Sequence, residues 1–374
     1  MILFLENPGM SIGKNSELIE VKEHGKSVIK LSIRELEAII IYSNINITPE
    51  ATSLLMQYSI PVFYQKGSQV VAYLTPFFNH GFVLIRELQF LSRNTIKGVK
   101  LLCSFVKGAL LNKRQLLLYL AKSKNRTDSS ISKELRESAD NIDKIIKDID
   151  ENYYINKFKI NVLSKFNTQN GSNSEIIETL YNEPMHIDSL SDIRIELLNK
   201  EAIGTKEYFE GIRKIIPNEF GFEARTRRPP LDPISAMLSY GYTILEGFII
   251  TAISVCGLEP YCGFLHTDRS GKTSLVYDLM EEFRQPIVDR IVLKMINKKM
   301  IKSDDFCKDN AFIKLNDNVR VKYVDLLFSE IKDSIRLFDN KKMSFRQGMI
   351  YQARKLCRFF LGKEENYYPY VFDF

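Results

Sequence analysis

The stretch that decides the fold runs from Arg225 to Arg290 and reads RTRRPPLDPISAMLSYGYTILEGFIITAISVCGLEPYCGFLHTDRSGKTSLVYDLMEEFRQPIVDR. Asp232 and Pro233 predict the start of a helix, because the carboxylate can cap free amides and proline has the backbone angle of a first turn. Apolar residues then recur with the spacing of a wide helix face, and Gly257 predicts the end of the helix. We expect this segment to be a buried core helix.

No membrane span is expected in this helix. Glu246 lies in its middle among serine, threonine and tyrosine residues, and a charged group is costly inside a bilayer. The chain opens on the apolar run MILFL, which has no basic start and meets Glu6 at once, unlike a signal peptide. The five cysteines include no Cys-x-x-Cys pair and indicate a reduced, cytoplasmic protein.

A polar constellation follows the core helix. His266 precedes a polar turn, and Asp278 and Glu281 lie three residues apart in an otherwise apolar segment. On a helix both carboxylates would leave the same face, and with the histidine they would form a mixed nitrogen and oxygen site that suits Mg²⁺ or Mn²⁺. Two acids at this spacing are also common on solvated faces, and a lone histidine is often structural. The apolar neighbours favour a packed helix, on which carboxylates need partners.

Five short segments carry a resemblance to a known family. They are Arg-Pro-Pro-Leu-Asp-Pro at 228–233, Leu-Ser-Tyr-Gly-Tyr at 238–242, Gly-Leu-Glu-Pro at 257–260, Gly-Phe-Leu-His at 263–266 and Ser-Leu-Val-Tyr-Asp-Leu-Met-Glu at 274–281. In this order and spacing the stretch resembles the signature region of the integrase of CRISPR adaptation, the first and most widespread CRISPR-associated protein. Ser235 departs from the asparagine that the family often has, at a position that is not a family ligand.

The fold class expected from pattern and resemblance together is α+β. Residues 1–87 are dense in β-branched types, and the resemblance implies a small β-sandwich-like domain that pairs two protomers. Residues 88–374 have helical periodicity, which predicts a larger all-α domain, and the resemblance implies that this domain is catalytic and binds DNA. An apolar, aromatic segment at 367–374 is expected to dock either on its own domain or on a partner.

The resemblance implies a further metal ligand far from the signature region. The family places its first metal-binding glutamate in a helix with a Glu-Ala step and, seven residues on, a Tyr-Phe pair. Glu201-Ala202 and Tyr208-Phe209 match that arrangement. On local evidence alone Glu201 would be an ordinary surface glutamate.

The resemblance implies that Glu201, His266 and Glu281 bind Mg²⁺ or Mn²⁺. Asp278 is then a supporting carboxylate that holds a metal-bound water or His266. Spacing alone leaves open which of the two acids binds directly, and Glu281 is preferred because the family places its third ligand on the second acid of this pair. His266 could instead carry a proton to the leaving oxygen, because the pKa of histidine lies near neutrality.

Basic residues near this site are expected to contact DNA phosphates. They are Arg225, Arg227, Arg228, Lys272 and Arg284. The whole chain has 52 basic and 46 acidic residues and a net charge of +6, a mild excess that permits nucleic-acid binding without requiring it.

The activity implied by the resemblance is a metal-dependent transesterification in antiviral defence. The 3′-hydroxyl of a captured DNA fragment would attack a phosphodiester of the CRISPR repeat. Implied partners are double-stranded DNA, a second copy of the chain and the small second CRISPR-associated protein. Two alternatives stay open: a transposase of a related mobile element, and a non-catalytic architectural DNA-binding subunit.

Overall fold

Strands and helices occupy mostly separate parts of the chain. The computed structural model describes residues 1–36, 38–58, 60–66, 69–74, 80–166, 190–227, 229–266, 272–309 and 312–373. The described strands are β1 (Ile2–Leu5), β2 (Met10–Asn15), β3 (Leu18–Glu23), β4 (Lys26–Ser32), β5 (Ala38–Ile41), β6 (Asn46–Ile47), β7 (Val62–Lys66), β8 (Gln69–Leu74), β9 (Phe306–Asp309), β10 (Phe312–Leu315), β11 (Ile335–Phe338) and β12 (Lys341–Ser344). The described α-helices are α1 (Pro49–Gln57), α2 (His80–Ser92), α3 (Ile96–Lys124), α4 (Ser129–Lys147), α5 (Glu151–Phe166), α6 (Ser191–Arg213), α7 (Pro233–Val255), α8 (Ser274–Met280), α9 (Arg290–Asn297), α10 (Asp317–Lys332) and α11 (Phe345–Phe360).

Two four-stranded sheets form the N-terminal part. One has the order β1-β5-β7-β8, in which β1, β5 and β7 are parallel, and the other has the order β4-β3-β2-β6. Side chains of both sheets, among them Leu5, Ile12 and Ile41, are buried in one shared core. This packing, followed by a mostly helical remainder, confirms the predicted α+β class with its sandwich-like N-terminal part.

The helices enclose a second core. Ile85 of α2 already belongs to it, and α3 packs against α4, α5 and α6. The boundary that we predict between residues 87 and 88 falls inside α2. The division into two domains at that point stays a prediction.

The core helix predicted from the signature region is α7. The Ser235 N–H donates to Asp232 Oδ1 at 2.7 Å, Pro233 occupies the first turn, and Gly257 follows the helix with a φ of +75°. Among the described helices, α7 is long and apolar enough to cross a membrane, and 67% of its most apolar window is buried inside the protein. It therefore packs as a core helix.

Two hairpins interrupt the last part of the chain, where we expected helices throughout. β9 pairs antiparallel with β10, and β11 pairs antiparallel with β12. Ile335 and Leu337 are exposed while Phe338 is buried, and the turn residues Asp339 and Asn340 have positive φ angles. Each strand has four residues, so its alternation is too short to stand out from the neighbouring helical pattern.

The aromatic C-terminal segment docks on the helical part of its own chain. Tyr367, Tyr370 and Phe372 are buried. The Asn112 side chain of α3 donates to the carbonyl oxygens of Tyr370 at 2.8 Å and Glu282 at 3.2 Å, and it accepts the Phe372 N–H at 2.9 Å. The segment thus ties α3 to the residues that follow α8.

The Glu282 side chain strengthens the same connection from inside the core. Its Oε1 accepts the Tyr367 hydroxyl at 2.5 Å, and its Oε2 accepts the Gln352 side-chain amide at 2.7 Å and the Tyr370 N–H at 2.8 Å. Burial raises the pKa of the Glu282 carboxyl to about 7, although these hydrogen bonds oppose the rise.

Candidate active site

His266 and Asp278 are held against each other at the start of α8. Asp278 is fully buried, and its Oδ2 accepts the backbone N–H groups of Phe264 at 2.6 Å and Leu265 at 3.0 Å. Its Oδ1 accepts the His266 N–H at 2.9 Å and lies 2.7 Å from His266 Nδ1. Because a carboxylate oxygen can only accept, Nδ1 carries a proton in this contact, and Nε2 is the ring nitrogen that does not contact Asp278.

The approach of the histidine loop to α8 requires a glycine. A Cβ at Gly263 would lie 2.6 Å from the Ser274 carbonyl carbon and 2.8 Å from the Leu275 nitrogen. The Gly263 N–H donates to Ser274 Oγ at 2.9 Å, and that hydroxyl donates to the Tyr261 carbonyl at 2.5 Å. The loop therefore lies directly on the first turn of α8.

Two further side chains hold the loop from the other side. Gln89 of α2 donates to the carbonyl oxygens of Glu259 at 3.0 Å and Cys262 at 2.8 Å. Arg194 of α6 donates through Nε to the Phe264 carbonyl at 2.9 Å. Helices from distant parts of the sequence thus fix the backbone that presents His266.

The second half of the site is an ionic centre around Lys113 of α3. Its ammonium Nζ lies 2.6 Å from Glu201 Oε1 and 4.0 Å from Glu281 Oε2, and the side chain is only 3% exposed. Thr205 Oγ1 donates to Glu201 Oε1 at 2.6 Å, and Arg284 Nη2 lies 3.3 Å from Glu281 Oε1. The two glutamates are therefore bridged by one buried cation.

This environment favours the charged form of Glu201. Burial alone would raise the pKa of its carboxyl, but the charge of Lys113 and the hydrogen bonds from Lys113 and Thr205 outweigh it. Together they lower the pKa from 4.5 to about 2. Glu201 is thus a carboxylate at neutral pH.

One cavity of about 950 Å³ gathers most of the predicted site. Of the residues predicted from sequence, it is lined by Glu201, His266, Glu281, Arg225, Arg227, Lys272 and Arg284. Asp278 does not line the cavity and lies behind His266. Arg228 lies outside the described residues, so its prediction is not addressed.

An aromatic ring orders two of the arginines on the cavity wall. The guanidinium carbons of Arg284 and Arg225 lie 4.8 and 5.8 Å from the centroid of the Tyr242 ring. The Tyr242 hydroxyl donates to Asp289 Oδ1 at 2.6 Å, and the Tyr208 hydroxyl donates to Asp289 Oδ2 at 2.7 Å. The buried aspartate therefore fixes the ring that both guanidinium groups face.

Lys113 and Gln285 are two of the cavity residues that are not among the predicted site residues. Lys113 lies in the α3 segment LLNKRQLLL, where four polar residues stand between leucines, so the local pattern does not distinguish it from a solvated lysine. Gln285 lines the cavity in the π-helical segment Arg284–Asp289, is 2% exposed, and its Oε1 has no hydrogen-bond partner among the described residues. Helical irregularities of this kind occur frequently at functional sites.

The donor chemistry of the cavity fits a divalent cation. Glu201, Glu281 and the His266 imidazole line it together with Glu246, and these are ligand types that Mg²⁺ and Mn²⁺ accept. As placed, no three His, Cys, Asp or Glu side chains in the described ranges form a group close enough to hold an ion. The ammonium of Lys113 lies between Glu201 and Glu281 instead.

Comparison with known proteins identifies the family. A family model described as "CRISPR associated protein Cas1" matches residues 3–328. This chain belongs to the Cas1 family. The resemblance that we find in the signature region is confirmed. Cas1 is a family of CRISPR-associated integrases and endonucleases.

Curated relatives match this chain over all or part of its length. The chain is similar to the CRISPR-associated endonuclease Cas1 1 of Archaeoglobus fulgidus, with 29% identity over 99% of each chain. It is also similar to the CRISPR-associated endonuclease Cas1 2 of Rhodospirillum rubrum, with 39% identity over 41% of this chain and 45% of the relative.

Solved structures share the Cas1 fold. A partial Cas6-RT-Cas1–Cas2 complex matches with a TM-score of 0.70 and 23% identity, covering 99% of this chain and 98% of that one. A casposase bound to an integration product matches with a TM-score of 0.69 and 20% identity, covering 98% and 97%. At these identities the likeness concerns the fold alone.

Proposed function

We propose that this Cas1 protein is a metal-dependent DNA integrase of CRISPR adaptation. It joins the 3′-hydroxyl ends of captured DNA fragments to the CRISPR repeat by phosphodiester transesterification. The observation that carries the proposal is the cavity in which Glu201, His266 and Glu281 face one space, with Arg225, Arg227, Lys272 and Arg284 on its walls. Family membership supports it.

Glu201, His266 and Glu281 would hold one Mg²⁺ or Mn²⁺ ion. When bound, the cation supplies Lewis acidity that stabilises charge on the phosphoryl oxygens, an effect of several kcal/mol. The lowered pKa of Glu201 keeps it a carboxylate at neutral pH, and Glu281 lines the same cavity. These roles fit the donors that line the cavity.

Asp278 orients the histidine. It accepts hydrogen bonds from His266 Nδ1 and from three backbone amides of the same loop, so Nε2 is the ring nitrogen that remains for another partner. Nε2 can hold the cation or, once it has taken up a proton, give that proton to the leaving 3′-oxygen. Of the two acids, Asp278 is then the supporting carboxylate and Glu281 the direct ligand.

The arginines would hold the DNA backbone. Arg225 and Arg284 face the Tyr242 ring at the cavity wall, where two guanidinium groups with fixed directions suit the oxygens of a phosphodiester. In the reaction the attacking 3′-hydroxyl loses its proton as its oxygen bonds to phosphorus. The bond from phosphorus to the leaving 3′-oxygen breaks, and that oxygen takes up a proton.

Partners are part of the same proposal. Double-stranded DNA is the substrate, and the second CRISPR-associated protein is a companion, as the similarity to a Cas1–Cas2 complex suggests. A homodimer is supported by Val71 and Tyr73, which are exposed on β8 at the edge of its sheet. The division at residues 87 and 88 would then separate the pairing and catalytic parts.

Strand transfer tests the proposal. The assay combines purified protein, a short duplex with a free 3′-hydroxyl, supercoiled plasmid with a repeat, and Mn²⁺. We expect joining that is lost with EDTA, with a 3′-dideoxy duplex, and in Glu201→Gln and Glu281→Gln. Glu196→Gln is a matched control, because Glu196 lies on α6 too but pairs with Lys157 away from the cavity.

The result also separates the alternatives. Joining at equal frequency into plasmids with and without the repeat would favour a transposase of a related mobile element. DNA binding without joining, with the companion protein present, would favour an architectural subunit. Full joining by Glu281→Gln would overturn the assigned site.

A further inference from the structure

The centre around Lys113 is electrically balanced without any bound cation. Glu201 and Glu281 contribute two negative charges, and Lys113 and Arg284, which contact them, contribute two positive charges. Side chains of all four are mostly buried, so each charge needs its counter-charge nearby. A divalent cation that enters this centre therefore leaves two positive charges in excess.

The two cationic side chains cannot simply move into solvent. Lys113 is 3% exposed, and a buried ammonium that loses its carboxylate must find another anion. Arg284 Nε is buried and has no hydrogen-bond partner among the described residues, so its N–H is available to a phosphate oxygen. Both side chains line the cavity that faces the DNA in the proposed function.

We propose that Lys113 and Arg284 are exchangeable counter-ions that couple divalent-cation binding to DNA binding. Without the cation they neutralise Glu201 and Glu281. With the cation on these carboxylates, they pair with a DNA phosphate in the cavity. The inference rests on the proposed function. It adds a role for Lys113 and the expectation that the cation and the DNA strengthen each other's binding.

The linkage has a definite sign. DNA that binds without the cation meets an ammonium and a guanidinium that are already paired, so it gains little from them. A cation that binds without DNA must displace the ammonium and the guanidinium from the glutamates, and no phosphate is then present to pair with them. Each ligand therefore improves the binding of the other, and thermodynamic linkage requires the same factor in both directions.

The test measures binding without chemistry. A labelled 3′-dideoxy duplex is titrated by fluorescence anisotropy with and without saturating Mn²⁺, and free Mn²⁺ is titrated by electron paramagnetic resonance with and without the duplex. In the wild type we expect each Kd to fall roughly 5- to 150-fold when the other ligand is present, the usual range of such coupling.

Lys113→Met removes the charge and keeps the length of the side chain. We expect it to bind Mn²⁺ more tightly than the wild type in the absence of DNA, and its coupling factor to fall toward one. Lys113→Arg keeps the charge and should retain the coupling. Lys122→Met is the matched control, because Lys122 is an exposed lysine on the same helix.

The outcomes distinguish a failure of the proposed cation site from a failure of the counter-ion exchange. If the wild type binds no Mn²⁺, or if Glu281→Gln binds it as well as the wild type, the proposed function loses its cation site. If Mn²⁺ binding depends on Glu281 but Lys113→Met keeps the full coupling factor, the exchange is wrong. Should Lys113→Met fail to fold by circular dichroism, Arg284→Gln decides the question, and an unchanged factor there overturns the exchange.

Discussion

At the residue scale, Asp278 and Glu281 show how one spacing can place two acids in different environments. Asp278 is fully buried and accepts three backbone amides and the His266 ring. Glu281, three residues later, faces the cavity beside Lys113 and Arg284. One carboxylate holds a loop, and the other remains accessible to a ligand.

Asp278→Asn should weaken the hydrogen bonds that hold His266 and its loop in place. The amide nitrogen of asparagine cannot accept, so at least one loop N–H loses its partner and the ring loses its fixed tautomer. We expect joining and Mn²⁺ affinity to fall roughly 10- to 100-fold, as for other residues that orient a ligand. The free energy of unfolding should fall by about 1–3 kcal/mol. Joining kinetics and urea denaturation measure the two effects.

Asp143→Asn provides the comparison, because this α4 aspartate pairs with Arg114 and Lys147. Wild-type joining in Asp278→Asn would mean that the loop holds His266 without the carboxylate.

The sequence predicts these site residues well only where they lie close to one another along the chain. His266, Asp278 and Glu281 lie in one stretch, so their spacing predicts a shared region. Glu201 is 88 residues from Lys113, and its neighbours on α6 include other glutamates, so its role was implied only by the family resemblance. The burial of Lys113 depends on the packing of α3 against α6, which no local pattern contains.

At the element scale, the C-terminal segment braces the cavity from behind. Asn112, which binds this segment, directly precedes Lys113, and Glu282, which also binds it, directly follows Glu281. The segment thus supports both elements that supply the ionic centre. Its aromatic composition predicted docking, but only the structure assigns the docking to its own chain.

The buried Glu282 makes stability depend on pH. The pKa of its carboxyl is raised to about 7, above the 4.5 of an exposed group, so the folded state holds this proton more tightly than the unfolded state. Its contribution is fully present below pH 4.5 and is lost as the pH rises through 7. The single-proton slope is about 1.4 kcal/mol per pH unit in that window.

Glu282→Gln should flatten this part of the pH profile, whatever its effect on overall stability. Urea denaturation between pH 4.5 and 8 measures the slope, with Glu365→Gln as the control, because Glu365 is exposed just before the C-terminal segment. An equally steep profile in Glu282→Gln would assign the pH dependence to other groups.

At the scale of the whole molecule, a small net charge of +6 is unevenly distributed. Five basic side chains line one cavity, namely Lys113, Arg225, Arg227, Lys272 and Arg284. Such local concentration attracts a polyanion although the chain as a whole is nearly balanced. Composition alone therefore understated the case for DNA binding.

Arg227→Ala should weaken DNA binding in a salt-dependent manner. Arg227 is exposed at the cavity, so neutralising it should reduce the slope of log affinity against log salt by about 0.9, the value for one phosphate contact. Anisotropy titrations across a range of NaCl concentrations measure the slope. Lys26→Ala, on the N-terminal sheets, should leave it unchanged. An unchanged slope in Arg227→Ala would remove this residue from the DNA path.

The order of the architecture was predictable because β-branched density and helical periodicity persist over long segments. The two late hairpins were missed, because four-residue strands give too little pattern to compete with their helical surroundings.

The ionic centre also bears on how the chain folds. Lys113 and Glu201 are 88 positions apart in sequence, and Asn112 and Tyr370, whose contact braces the centre, are 258 apart. Contacts of such separation require large loops to close and tend to form late, after local helices. A partly folded chain would therefore have its helices but lack the paired carboxylates and their counter-ions. Any activity of this cavity thus begins only when the last long-range contacts have formed.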